Sequence, residues 1–138
     1  MLDILIIDGQ GGKIGGRLVE TIKALLPETL VTAIGTNSTA SEAMLRAGAD
    51  RAATGENSVV VCSRTADIIM GPVGIISTDS MLGEITEKMA VAIGRSPAKK
   101  LLIPMNMCDI VIAGMPQLTV SALIDAAVEQ LRRIICEP

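Results

Sequence analysis

The sequence predicts an α/β fold: a single doubly wound, mostly parallel sheet of five or six strands with helices on both faces. Two observations predict it. Short apolar runs without polar alternation, such as residues 4–7 and 101–103, alternate along the chain with segments of helical period. A strand that is apolar on both faces is covered on both faces, as in a parallel sheet between helical layers. The first run also breaks directly into a turn with five glycines in eight positions: Gly9, Gly11, Gly12, Gly15 and Gly16. A helical pattern follows at once. Strand, glycine turn and helix together make a phosphate-binding corner. The helix N-terminus offers free N–H groups and partial positive charge, and glycine lets the backbone come close to a pyrophosphate. The expected sheet is therefore Rossmann-like.

The elements follow in order. Strand one is expected at residues 3–8. Helix one runs from about 13 to 25, with Ile14, Leu18, Ile22 and Leu25 on one face and Pro27 as its stop. Strand two covers about 29–35. Helix two begins after Thr39, which caps it with Glu42 three residues on as a capping box, and ends at Ala47-Gly48. Residues 49–57 read as a turn. Residues 58–62 are either a short strand or the start of a helix. Residues 66–70 are a buried strand ending in Gly71-Pro72-Val73-Gly74. Helix three, about 86–94, is capped by Thr86. Residues 101–104 form a further buried strand and 109–113 a short one. Helix four, about 119–135, has the clearest i, i+3, i+4 pattern.

Composition narrows the function. At 138 residues, 49% apolar and 20% charged, the chain reads as one globular domain spanning 1–138. No apolar run approaches the ~20 residues that cross a bilayer, and residues 68–76 are broken by Gly71, Pro72 and Gly74. No signal peptide is evident, so a cytoplasmic location with no membrane partner is expected. The net charge of −3, without a basic block, argues against nucleic acid. Cys62, Cys108 and Cys136 are widely spaced, with no CxxC pair, so no disulfide framework or zinc site is expected. Cys62 and Cys136 read as buried, and Cys108 as the one with a position near the strand ends. There is no histidine, which removes the commonest general base and metal ligand. There is no Phe, Tyr or Trp, so no base or flavin can stack on an aromatic of this chain.

The candidate site follows from the topology. Ligands of such sheets bind outside the carboxyl ends of the strands, at the switch point. The turns at 8–16, 35–39, 71–74 and 104–108 all follow strands and are expected to surround one crevice. The first does not match G-x-G-x-x-G, since Ile14 stands where the third glycine belongs; Gly9, Gly12 and Gly15 give G-x-x-G-x-x-G. Asp8, Gly9, Gln10, Gly11, Gly12, Lys13, Ile14 and Gly15 are the candidate phosphate contacts. A tight structural turn without a ligand is the alternative. At the end of strand two, Thr36, Asn37 and Ser38 are neutral donors where an NAD site usually carries an acid. This tilts the expectation to NADP over NAD, unless these side chains only cap helix two. Gly71, Pro72 and Gly74 would let the backbone approach a ribose or nicotinamide, or simply turn the chain. Asn106 follows the next strand. Gly12→Val is expected to abolish binding with the fold intact. No metal site and no catalytic set is identified.

Asp8-Gly9-Gln10-Gly11-Gly12, Gly35-Thr36-Asn37, Ala47-Gly48-Ala49-Asp50, Ala53-Thr54-Gly55-Glu56-Asn57, Gly71-Pro72-Val73-Gly74-Ile75, Met81-Leu82-Gly83-Glu84-Ile85 and Ile103-Pro104 together resemble a bacterial family catalogued as a domain of unknown function (number 3842). The resemblance covers nearly the whole chain and implies no activity. The leading expectation is a small nucleotide-binding protein, most naturally of NAD(P), in a homo-oligomer. One alternative is a non-enzymatic regulatory or assembly module that binds a partner protein. Another is a small phosphate-ester enzyme of methylglyoxal-synthase-like shape with Asp8 as acid or base.

Overall fold

The computed structural model describes residues 1–106 and 109–137. Five strands, β1 (Asp3–Asp8), β2 (Leu30–Gly35), β3 (Arg51–Thr54), β4 (Ile68–Pro72) and β5 (Lys99–Ile103), form one all-parallel sheet in the order β3-β2-β1-β4-β5. Five helices alternate with them: α1 (Lys13–Leu25), α2 (Ser38–Arg46), α3 (Glu56–Ser63), α4 (Glu87–Arg95) and α5 (Val120–Cys136). The chain winds outward from β1 through β2 to β3, then crosses to β4 and β5, so the strand order reverses beside β1.

Strand β1 shows why an unbroken apolar run belongs here. Ile4 and Ile6 face one core with Leu18 and Ile22 of α1, Met44 of α2 and Leu123 and Leu131 of α5. Leu5 and Ile7 face a second core with Val59 of α3 and Met89 and Ile93 of α4. Successive side chains point to opposite faces, so a strand between two helical layers must be apolar at every position. With no aromatic side chain in the sequence, the largest fully buried groups are Ile, Leu and Met. Among the described residues no helix is long and apolar enough to cross a membrane.

Three local expectations are corrected and one left open is settled. Residues 51–54, read as part of a turn, are the edge strand β3. It needs no apolar run, because it has a single neighbour and its residues are exposed or half-buried. Residues 56–63 are helical, settling the ambiguity at 58–62. Helix α2 starts two residues earlier than expected. Its cap is Asn37, whose Oδ1 accepts from the Ala40 amide at 2.9 Å, while Thr39 lies inside the helix and is exposed. Residues 109–113 hold an isolated bridge at Ile110 and no strand, and Asn106 Oδ1 ties this loop by accepting from the Ile112 amide at 3.0 Å. Thr86 caps α4 as the sequence leads one to expect, and Thr119, for which no capping role is expected, caps α5.

Candidate functional site

A crevice of about 370 Å³ opens at the carboxyl edge of the sheet, where the strand order reverses. The turn after β1 forms its floor, with Asp8, Gly9, Gln10, Gly11, Gly12, Lys13 and Ile14. Pro72 at the end of β4, Met81, and Met105 after β5 form its walls. The same turn is also reached from its other side, along a groove of about 640 Å³ between α1 and α2 that carries Lys13, Arg17 and Arg46. A larger groove of about 800 Å³ lies between α3 and α4, away from the strand ends.

The turn is built by Asp8. Gly12 caps α1 and has no side chain with which to do so. Asp8 supplies the missing acceptor from the end of β1: Oδ1 accepts from the Gly9 amide at 2.8 Å and Oδ2 from the Gly15 amide at 2.7 Å. This satisfies the third amide of the helix and leaves those of Lys13 and Ile14, which have no carbonyl one turn back, without an intrahelical partner, and both residues line the crevice. Asp8 is buried, and burial raises its pKa above the ordinary carboxylate value. The two amide bonds oppose that shift, and the charge of Glu84 adds to it.

The glycines have different duties. Gly12 has φ +70°, and a Cβ there would lie 2.8 Å from the Ala40 backbone. Gly12→Val would therefore break the α1–α2 packing, so the expectation that it spares the fold is wrong. A Cβ on Gly15 would meet Met44 and Asp8. Gly11 is the open one: a Cβ would find only the Lys13 side chain, at 4.0 Å.

A fourth segment, absent from the expected site, closes over the turn. Residues 77–86 connect the short 3₁₀ turn Val73–Ile76 to α4. Met81 and Ile85 bury in the second core and anchor the loop, while Leu82 stands 95% exposed at its tip. Asp79 (φ 67°), Met81 (φ 57°) and Leu82 (φ 57°) are left-handed, as is Gln10 (φ 48°) in the glycine turn. Each costs about 1–2 kcal/mol in a non-glycine residue. The four fall in the two segments that meet here, and such strain gathers where geometry is functional.

The link between the two segments is Glu84. Its Oε1 accepts from the Gln10 amide at 2.7 Å, from Asn37 Nδ2 at 3.0 Å and from the Thr36 hydroxyl. Asn37 Nδ2 also donates to the Gln10 carbonyl at 2.9 Å. Burial works against the charged carboxylate. The bonds from Thr36, Gln10 and Asn37 outweigh it and hold the Glu84 pKa below its ordinary value. Met81 Sδ, Thr36 Oγ1 and Glu84 Oε1 crowd Gly9, each under 3 Å from where its Cβ would be.

The structure thus brings Asp8, Gly9, Gln10, Gly11, Gly12, Lys13, Ile14 and Pro72 together. Thr36 and Asn37 sit at the rim, and their donors are taken by Glu84 rather than free. Ser38 is the exposed first residue of α2, and Asn106 is exposed in its own loop. Gly71 packs against the Ile7 carbonyl, and Gly74 is buried, with its carbonyl accepting from Ser80. Gly71 belongs to β4, paired with Leu102, and Gly74 to the 3₁₀ turn, and neither lines the crevice. Cys136 is exposed, not buried as expected, and Cys62 is half-buried. Cys108 lies outside the described residues. Among the described residues no cluster of acids and cysteines could hold a metal. Glu84 was overlooked because it follows no strand and belongs to no nucleotide motif. Its one signal was the Met81-Leu82-Gly83-Glu84-Ile85 segment of the family resemblance.

The family described as "Domain of unknown function (DUF3842)" matches residues 3–136. The chain belongs to that family. No curated protein matches this DUF3842 chain significantly. Among solved structures it is similar to a dodecameric FMN-dependent UbiX-like decarboxylase from Escherichia coli O157:H7. The two are 15% identical with a TM-score of 0.50, over 96% of this chain and 76% of that one. At this identity the likeness is one of fold.

Proposed function

We propose that this DUF3842 protein binds a nucleotide, with NAD or NADP as the leading ligand. The observation that carries the proposal is the crevice at the switch point. Its floor is a glycine turn whose helix is capped from below by Asp8, so that the amides of Lys13 and Ile14 are left for a ligand. The phosphates lie on Gly11, Lys13 and Ile14, where helix charge and the Lys13 ammonium both favour an anion. One nucleoside passes the rim at Thr36 and Asn37, and the other lies toward Pro72 and Met105.

A mononucleotide such as FMN is the second reading. The crevice, at about 370 Å³, is near the small end of the ~300–1,000 Å³ usual for ligand sites, and Pro72, Met81 and Met105 give it apolar walls. The similar fold described as FMN-dependent supports this reading too. A phosphate-ester enzyme with Asp8 as acid or base is less well supported, because both Asp8 oxygens are committed to backbone amides.

A thermal-shift series with NAD, NADP, ATP, FMN and sugar phosphates tests the proposal, using an external dye because the chain has no aromatic residue. At a hundredfold excess over Kd a true ligand adds about 2.7 kcal/mol of stability. Gly11→Ala keeps the fold and weakens that shift. If no nucleotide moves the midpoint, the proposal fails; if Gly11→Ala binds as the parent does, the phosphate is not on this turn.

A further inference from the structure

We propose that Glu84 makes the protein select nucleotides with a free ribose 2′-hydroxyl and reject those phosphorylated there. The proposal rests on the nucleotide reading above and deepens it. Strand β2 ends in Gly35-Thr36-Asn37, with no acid of its own to hold a ribose. Read from the sequence, this favoured a 2′-phosphate. The fold changes that, because it brings a carboxylate to the same place from the loop after β4. Glu84 Oε1 lies on the Thr36 hydroxyl, the Asn37 amide and the Gln10 backbone amide, which spans the tip of β2 and the floor of the crevice.

All three donors go to one oxygen. The other, Oε2, has no hydrogen-bond partner among the described residues and is not among their buried unpaired atoms. It is an unpaired acceptor that is not fully buried, on a side chain bonded to Gln10 of the crevice floor. A ribose hydroxyl has the donor to meet it, as the acid at the second strand does in dinucleotide sites. A 2′-phosphate has only acceptors and negative charge to offer. It would face a carboxylate held in place by three bonds, and the Thr36 and Asn37 donors it needs are already taken. Arg46, the next cation along the chain from Thr36, is paired with Glu42 at 2.6 Å, and Lys13 on the floor is left for the 5′-phosphates. Repulsion against a partner is an effective source of specificity, and here it is supplied by the latch that holds the loop.

The test compares NAD with NADP, and 5′-AMP with adenosine 2′,5′-bisphosphate, by titration calorimetry on the parent, Glu84→Gln and Glu84→Ala. Glu84→Gln keeps an oxygen for the three donors and replaces the facing acceptor with an NH₂ group. The parent is expected to bind the 2′-hydroxyl member of each pair at least tenfold more tightly. Glu84→Gln is expected to bring the ratio to within about threefold of unity. Glu84→Ala, checked for folding by circular dichroism, does the same if it folds. Equal affinities in the parent overturn the proposal and leave the nucleotide reading standing, as does a ratio unchanged in Glu84→Gln. If none of the four compounds binds the parent, the selectivity proposal fails. The nucleotide reading fails with it only if FMN and ATP also leave the protein unshifted.

Discussion

Asp8 holds the glycine turn through two charge-assisted bonds, one from each carboxylate oxygen, and neither has a substitute nearby. Asp8→Asn replaces one acceptor with a donor that faces a backbone N–H. The expected cost is about 1–3 kcal/mol, the usual consequence of leaving a buried polar group unmatched. Urea unfolding of the purified variant measures it, and a loss below 0.5 kcal/mol would show that Asp8 does not hold the turn. The same residue carries a pH signature. Burial raises its folded pKa, so its contribution to stability is greatest at low pH and declines as pH rises from the ordinary aspartate value through the raised one. Asp50 has the opposite sign. Bonds from the Val31 amide and Lys23 lower its pKa, so its contribution is present above the ordinary aspartate value and lost as pH falls through the folded one. Asp50→Asn is therefore expected to flatten the acid limb of the urea-midpoint profile below the ordinary aspartate value. An acid limb as steep as the parent's would refute that assignment.

At the level of elements, the start of α2 separates two readings of one stretch. Asn37→Ala removes the cap and is expected to cost about 1 kcal/mol, rising with the loss of its bonds to Gln10 and Glu84. Thr39→Ala, on an exposed residue within the helix, is expected to stay within about 0.5 kcal/mol of the parent. Thermal or urea unfolding of the pair decides the cap; a larger loss at Thr39 would restore it there. The contrast shows what local pattern can carry. Strands β1, β2, β4 and β5 were legible because cover on both faces makes them apolar runs, and helices α1, α4 and α5 because burial of one face imposes a helical period. Strand β3 was not, because Arg51–Thr54 lies at an edge, four residues long, and no core requires it to be apolar. The glycine turn was legible as a turn, though not the separate duties of its glycines. Those depend on Ala40, Met44 and Met81, which reach it only in three dimensions. Glu84 is the extreme case, since no spacing relates position 84 to position 10 or 36.

Taken whole, the molecule is a parallel sheet whose two halves wind in opposite senses from β1. That topology alone places the ends of β1, β4 and β5 around one opening, and the loop from 77 to 86 then roofs part of it. Both helical layers are held by aliphatic and methionine side chains, and the largest buried groups are modest in size. The opening inherits this character: hydrogen-bonding groups line its floor and rim, and Pro72, Met81 and Met105 its walls. Under the proposed function, discrimination between ligands would rest on hydrogen bonds and charge at the floor and rim, since the sequence has no aromatic ring to stack against.

The bond from the Gln10 amide to Glu84 joins positions 74 residues apart, and that from Thr36 to Glu84 joins positions 48 apart. Contacts of such separation require long loop closures, whereas the turn, α1 and β2 can form from neighbours in the chain. A nascent chain ending before residue 77 therefore carries the glycine turn and β4 but not the carboxylate that tethers Gln10 to Thr36. The corner is thus assembled from near neighbours and fastened only once position 84 is in place, so its last tie depends on a residue made long after the turn it secures.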